Sequence, residues 1–421
     1  MTDVQRLIEQ AEEALAPRFK EIDKRSERHT ARVLAAFRNN RVSEATFAST
    51  NGYGLDDTGR DTLDKIYAEV FGCEAAFVRH SIVSGTHALT IGLFALLRPG
   101  DVLLSLTGKP YDTLDEVIGL SGEAGRGSLL DFGVRYREVA LLSDGSPDYA
   151  GIEKALSEEG DAVKVAFIQR SKGYLDRPTL TVAEIGKLAR FVKERTSRAA
   201  VTVDNCYGEF TEDEEPVAVG ADLMIGSLIK NPGGGMAESG GYLAGRADLI
   251  ELVACRATAP GIGAEEGATL GQNRNLYKGL FYAPHSVGQA LKTMHLAAYL
   301  FSACGFDVEP GWEVPRSDII QTVRCKTADN LIAFCRGIQA GSPVDAFVTC
   351  EPWAMPGYSS PVIMAAGTFV QGSSLELSAD GPIREPFNAY LQGGLTYESG
   401  KIGILSALDA VLKARNGGKD E

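Results

Sequence analysis

Apolar positions along the chain switch repeatedly between a helical and an extended period. Over residues 3–38, Leu7, Ile8, Ala11 and Leu15, then Val33, Leu34 and Phe37, recur at helical spacing among charges, which predicts a long amphipathic helix. Leu63, Ile66, Tyr67 and Val70 repeat the pattern from Asp61 to Phe71. Ala75–Arg79 then reads as a strand, followed by an apolar helix to Leu97 that opens at Ser84-Gly85-Thr86-His87. Val102–Leu106, Val163–Ile168, Val201–Val203 and Leu223–Ile229 are short apolar runs of buried-strand type. Between them, Thr181-Val-Ala-Glu184 fits a capping box for a helix to about Arg195. Strands separated by helices predict an α/β fold with a mainly parallel sheet sandwiched by helices.

After Ala259-Pro-Gly-Ile-Gly263 the pattern changes. A long apolar helix from about Pro284 to Cys304 leads into short strands at Ile319–Val323, Ala346–Thr349 and Pro361–Ala365, mixed with helices. The reading is an N-terminal helical arm over residues 1–45, a large domain over 46–285 and a smaller C-terminal α/β domain over 286–421. The arm packs either on a partner subunit or on its own domain. More than one domain is expected, because single cores rarely grow past about 250–300 residues.

Composition narrows the function classes. Net charge is −14, which argues against nucleic-acid binding or adhesion to an anionic membrane. The chain carries 47 glycines in 421 residues, about 11% against an average near 7%, concentrated in loops between apolar runs. Seven cysteines form no CxxC pair, and no histidine cluster has zinc spacing, so no metal site is expected. With no signal peptide and no run approaching a membrane span, a reducing cytoplasm is the expected compartment.

The candidate chemistry centres on two strand ends. One apolar run finishes at Asp204 and another carries Ser227 and, 26 residues after Asp204, Lys230, before breaking at Asn231-Pro-Gly-Gly-Gly235. Open α/β sheets place chemistry at such carboxyl ends. A lysine between Leu228, Ile229 and a glycine-rich loop is partly desolvated, which favours a nucleophilic amine. An acid, a lysine and a serine in this arrangement suit a pyridoxal phosphate enzyme. The same residues also suit a structural aspartate and a surface lysine opening a loop. Ser84, Gly85 and Thr86 at a helix start make a phosphate site or an ordinary N-cap. Tyr53 and Arg60, in Thr50-Asn-Gly-Tyr-Gly-Leu-Asp-Asp-Thr-Gly-Arg60, either donate to an anion or only connect elements. Tyr111, just past a strand, either stacks on a flat ring or caps the core.

Taken together, six segments resemble the fold-type I pyridoxal phosphate enzymes of cysteine and methionine metabolism. The likeness is to the methionine gamma-lyase or cystathionine beta-lyase-like family often labelled aluminium resistance protein. The segments are Gly52-Tyr-Gly54 with Asp57-Thr-Gly-Arg60, Ser84-Gly-Thr-His-Ala88, Ile168-Gln-Arg-Ser171, Val203-Asp-Asn-Cys-Tyr-Gly-Glu209, Ser227-Leu-Ile-Lys-Asn-Pro-Gly-Gly234, and Asp380-Gly-Pro-Ile-Arg384 with Gln392-Gly-Gly-Leu-Thr-Tyr397.

The resemblance implies a carbon–sulfur lyase that cleaves a sulfur-containing amino acid by beta- or gamma-elimination to keto acid, ammonia and thiol. Lys230 would hold the cofactor covalently and shuttle protons, and Asp204 would pair with the pyridine nitrogen. Ser84, Gly85 and Thr86, with Ser227, would hold the phosphate. Tyr111 would stack over the ring and serve as an acid, and Arg384 would take the substrate carboxylate. Tyr53 would reach a neighbouring subunit's phosphate, which implies a homodimer or homotetramer. Leu55 stands where the better-studied lyases carry an arginine, and Arg60, one helical turn later, is the expected replacement. Transamination, racemisation and aldol cleavage share the same residues, and a non-catalytic protein could keep the fold. An oxidoreductase would need a GxGxxG turn after a strand, and Gly261-Ile-Gly263 lacks both the spacing and the strand.

Overall fold

In the computed structural model of the chain, residues 3–175, 177–355 and 360–417 are described. The first long helix, α1 (Asp3–Asn39), is followed by α2 (Thr58–Phe71), β1 (Ala75–Arg79) and α3 (Gly85–Leu96). Next come β2 (Val102–Ser105), α4 (Asp115–Ile118), β3 (Arg135–Glu138), α5 (Tyr149–Glu159), β4 (Val163–Gln169) and α6 (Val182–Lys193). Then follow β5 (Ala200–Asp204), β6 (Leu223–Ser227), β7 (Gly241–Gly245) and α7 (Ala247–Ala257). The strands form one seven-stranded sheet in the order β1-β7-β6-β5-β4-β2-β3. Strands β3, β2, β4, β5 and β6 are parallel, and β7 runs antiparallel between β6 and β1. The carboxyl ends of β1, β2, β4, β5 and β6 therefore share one edge. Every residue of β5 and β6 is buried, as strands covered on both faces must be. Phe77, Leu89, Leu103, Phe167, Ile225 and Leu243 belong to the core between this sheet and its helices.

By contact clustering, this sheet lies in a compact unit of Ala31–Leu228 with Met236–Phe281. A second unit joins Met1–Thr30, Ile229–Gly235 and Tyr282–Glu421.

The turn that follows β5 is built on a buried cation. Arg170, directly after β4, is fully buried and donates from Nη1 to Asn205 Oδ1 at 2.7 Å and from Nη2 to Glu212 Oε1 at 2.8 Å. Asn205 passes the contact on, its Nδ2 donating to Glu215 Oε2 at 3.0 Å, while Glu215 Oε1 accepts the Phe210 N–H at 2.8 Å. Burial raises the Glu215 pKa, and the nearby Arg170 charge only partly offsets it. Tyr207 and Phe210 hold positive φ values of 75° and 63°. Gly208 is required between them, because a Cβ there would lie 2.3 Å from Arg170 Nη1.

The remaining elements are α8 (Asn273–Ala303), β8 (Asp307–Glu309), β9 (Ile320–Arg324), α9 (Ala328–Ala340), β10 (Val362–Ala365), β11 (Ser378–Pro382), β12 (Asn388–Gln392) and α10 (Tyr397–Gly417). Strands β8 to β12 make a second, antiparallel sheet in the order β10-β11-β12-β9-β8. Its core contains Phe301, Val323, Phe334, Ile338, Leu391 and Leu408, together with Ala11 and Leu15 from α1. Two sequence expectations change here. Pro284, read as a helix start, lies inside α8, which begins eleven residues earlier at Asn273. Proline removes one donor but does not stop a helix whose other residues are well buried. The apolar run Ala346–Thr349 is not a strand but an irregular, largely exposed segment.

His295, in α8, donates from Nδ1 to the Trp312 carbonyl at 2.8 Å. Burial, reinforced by the Arg316 charge, depresses its pKa to about 3.

Two stability predictions follow from these buried groups. Arg170→Met leaves Glu212, Glu215 and Asn205 without their cation, so urea unfolding should show a loss of about 3–5 kcal/mol. A change near zero would mean that the network does not hold this turn. For His295 the folded pKa lies below the unfolded value of roughly 6.5, so only the unfolded chain takes up a proton as pH falls through that window. Stability should therefore drop between about pH 6.5 and 3, by up to roughly 1.4 kcal/mol per unit for this group. His295→Gln should lessen that slope when unfolding is compared at pH 7.5 and 5.

Candidate functional site

The shared edge of the large sheet collects most of the residues that the sequence singles out. Asp204 closes β5, is buried, and its Oδ1 accepts the Cys206 N–H at 3.1 Å. It lies in register with Gln169 on β4 and Ile225 on β6. Ser227 closes β6 and is 1% exposed, and its Oγ finds no hydrogen-bond partner among the described residues. Beside it, α3 begins. Ser84 is the extended N-cap, its Oγ accepting the His87 N–H at 3.1 Å, so the N–H groups of Gly85 and Thr86 precede any intrahelical acceptor. A Cβ at Gly85 would lie 3.4 Å from both Ser227 Cβ and Cys206 Sγ, so a side chain there would fill the space between helix start and strand end.

Tyr111 stands at the mouth of a short turn of 3-10 helix after β2. Its ring lies against Gly173, where a Cβ would come within 2.8 Å of Cδ2, and meets the Tyr174 ring edge-on at 6.1 Å. Thr113 in that turn hydrogen bonds through its hydroxyl to the Thr86 hydroxyl at 2.9 Å, which ties Tyr111's segment to the start of α3. Gln169 carries no role in the sequence reading. Its side chain is buried, with Nε2 donating to the Ser171 carbonyl at 3.0 Å and Oε1 without a partner among the described residues. Only its place at a strand end marked it.

Lys230 follows Ser227 by three residues and is half-buried, just ahead of a 3-10 turn over Asn231–Gly233. Its segment, Ile229–Gly235, clusters with the C-terminal unit. There, a Cβ at Gly372 would lie 3.8 Å from Ile229 Cδ1, and one at Gly235 would lie 2.5 Å from Leu395 Cδ2.

Three expected residues lie elsewhere or are otherwise engaged. Arg60 is 2% exposed and donates to the carbonyls of Gly54 at 2.7 Å, Gly267 at 3.2 Å and Glu265 at 3.2 Å, and to Asp61 at 2.9 Å. Its charge clamps a loop where the sequence suggested a phosphate ligand. Asp57 supports the same loop. Burial would raise its pKa, but bonds from Thr50, the Arg60 N–H, Thr269 and Asn273 outweigh that and hold it low. Tyr53, on this loop, is 72% exposed and presents its ring to solvent. Arg384 lies in the exposed turn between β11 and β12. Leu395 and Gly372, the neighbours that a Cβ at Gly235 or at Gly372 relates to the Lys230 segment, adjoin the other end of that hairpin, where Ser378 pairs with Gln392. Five extended residues separate the two ends of the hairpin by roughly 13 Å.

The donors at the large-sheet edge fit pyridoxal phosphate. A helix start without a Cβ at Gly85, beside a buried hydroxyl lacking a partner, suits the phosphate, and a buried carboxylate one strand away suits a pyridine nitrogen.

Comparisons with known proteins agree. The methionine gamma-lyase family profile matches residues 4–412. The Bacillus subtilis protein YnbB is 52% identical over 404 residues, spanning 96% of this chain and 95% of that one. The crystal structure of a carbon–sulfur lyase involved in aluminium resistance, from Clostridium novyi, is 50% identical with a TM-score of 0.92, covering 96% of this chain and 95% of its own. The pyridoxal-5'-phosphate-dependent Escherichia coli protein YhfS shares the fold alone, at 14% identity and TM-score 0.62 over 93% of this chain and 97% of its own. With fold, strand-edge residues and profile in agreement, the chain belongs to the methionine gamma-lyase family, on the fold-type I architecture of pyridoxal phosphate enzymes.

Proposed function

We propose that the chain is a pyridoxal phosphate-dependent carbon–sulfur lyase that cleaves a sulfur-containing amino acid to keto acid, ammonia and thiol. The observation that carries this reading is the buried Ser227 hydroxyl beside the open start of α3, with Asp204 ending the adjacent strand and Lys230 three residues on. When bound, the cofactor supplies a conjugated, cationic ring that withdraws electrons from the substrate's alpha carbon.

The chain's own groups divide the remaining work. Ser84, Gly85, Thr86 and Ser227 hold the phosphate through N–H and O–H donors. Asp204 keeps a proton on the pyridine nitrogen by offering it a carboxylate. The Lys230 amine anchors the cofactor and, when released, takes the proton from the substrate's alpha carbon. The Tyr111 hydroxyl delivers a proton to the departing sulfur, so that it leaves as a neutral thiol, a better leaving group than the thiolate. Which carbon bears that sulfur depends on the substrate.

Tyr53 is 72% exposed, and the neighbouring Leu55 and Leu270 are 57% and 62% exposed. These support a second copy of the chain covering this loop, in a homodimer or homotetramer whose Tyr53 reaches the neighbouring site. The seven cysteines are free, which fits a reducing cytoplasm. No helix among the described residues is long and apolar enough to cross a membrane.

Borohydride reduction followed by peptide mass spectrometry tests the assignment. A pyridoxyl group should be fixed on the peptide carrying Lys230 and be absent from Lys230→Ala. Protein that stays colourless and unlabelled after addition of pyridoxal phosphate would overturn the cofactor reading. Ser227→Ala should weaken cofactor binding by about tenfold or more, the loss expected for one hydrogen bond to a charged group. Absorbance titration of cofactor-free protein measures it, and unchanged affinity would remove Ser227 from the phosphate site.

A further inference from the structure

Of the residues assigned to the phosphate, Thr86 brings a hydroxyl that is engaged with a neighbour. Its partner is the Thr113 hydroxyl at 2.9 Å, and among the described residues neither hydroxyl hydrogen bonds to anything else. Both threonines are half-buried. Thr86 is held in the first turn of α3, where the Thr90 hydroxyl donates to its carbonyl at 2.8 Å. Thr113 is held in the short turn after Tyr111. Leu114, fully buried, anchors that turn, and its N–H donates to the Tyr111 carbonyl at 2.8 Å. Lys109 Nζ closes the turn from the other side, 2.6 Å from Asp115 Oδ2. The two hydroxyls therefore meet between two braced segments that lie 27 residues apart in the chain.

A hydroxyl carries one proton and two lone pairs, so only one of the two protons can lie between the oxygens. As the pair stands, either oxygen can be the donor. A phosphate removes that freedom, because its oxygens act as acceptors. Thr86 has a single proton, and it can give that proton to a phosphate only by accepting the bond from Thr113. Resting on the cofactor reading above, we propose that Thr113 is a positioning residue: its hydroxyl donates to Thr86 and so turns the Thr86 proton onto the cofactor phosphate. Accepting from Thr113 also polarises the Thr86 O–H and makes it a stronger donor. The 2.9 Å contact needs no rearrangement for this, only a settled direction. The same hydroxyl pair joins the phosphate seat to the segment that carries Tyr111.

Pyridoxal phosphate and pyridoxal, which lacks the phosphate, separate this role from a structural one. In absorbance titrations of cofactor-free protein, Thr113→Val should weaken pyridoxal phosphate about three- to tenfold, the loss of one net hydrogen bond, and leave pyridoxal unchanged. Thr113→Ser, which keeps the hydroxyl, should bind as the parent does. Thr86→Val should lose at least as much as Thr113→Val, and combining the two should cost nothing further, because Thr113 acts only through Thr86. Equal weakening of both ligands, an unchanged affinity for pyridoxal phosphate, or additive losses in the double variant would each overturn the assignment. Where pyridoxal binds too weakly to measure, the comparison between the two Thr86 backgrounds decides alone. Thr113→Ala repeats the series should Thr113→Val fold poorly, with the same outcomes expected. If the parent protein takes up neither ligand, the cofactor reading itself fails. If the parent binds pyridoxal phosphate and the Thr113 variants match it, only the Thr113 assignment fails.

Discussion

Taking a guanidinium completely out of water is strongly unfavourable unless nearly every N–H finds an acceptor and the charge finds a counterion. Arg170 meets that condition with the Leu180 carbonyl and by drawing in Asn205, Thr211, Glu212 and Glu215. The four side chains follow Asp204 within eleven residues, so the cation fixes the path of the turn that leaves β5. Asp204 is thereby held at the strand end with its carboxylate anchored on the Cys206 N–H. Loss of the cation would release the geometry of the aspartate as well as the stability of the loop. The buried ion network and the chemistry-bearing carboxylate are parts of one local structure.

How much of this was legible depended on whether the determinant was local in sequence. Asp204, Ser227 and the Ser84-Gly85-Thr86 turn could be read because each ends or starts an element, and strand ends on a parallel sheet converge by topology. The capping box at Thr181 and Glu184 was equally local and forms as expected. The role of Arg170 is not legible in its motif, because its partners lie 35 to 42 residues further on and no spacing rule links them. Arg384 was placed by motif rather than by strand direction. The antiparallel pairing of β11 with β12 sends it to the end of the hairpin away from Leu395 and Gly372. Pro284 misled for a third reason, since a proline's local cost was overridden by the packing of a 31-residue helix.

Arg60 shows how burial changes what a charged residue can do. Its sequence position, one turn into α2 beside a glycine-rich loop, was compatible with binding an anion. In the fold its donors go to the carbonyls of Gly54, Glu265 and Gly267, which join its own loop to one 205 to 207 residues further on. A guanidinium suits this task because its planar fork reaches several carbonyls at once. The result is a rigid base under Tyr53, whose ring stays exposed while its own carbonyl accepts the Gly267 N–H at 2.8 Å.

The glycine surplus has a structural explanation at the positions that matter. At Gly85 a side chain would occupy the space between Ser227 and the start of α3, and at Gly173 it would strike the Tyr111 ring. At Gly208 it would displace the Arg170 guanidinium, and Gly372 provides the left-handed turn before Ser373. Each glycine lets one backbone segment approach a neighbouring side chain more closely than a Cβ would permit. At these positions the glycine excess seen in the composition becomes, in the fold, a close approach beside a buried or strand-end side chain. Glycine elsewhere serves ordinary turns, such as the left-handed C-cap at Gly72. The sequence signal that best marked the site was therefore the pairing of glycine with a polar strand end, a local feature of a kind that survives without knowledge of any long-range contact.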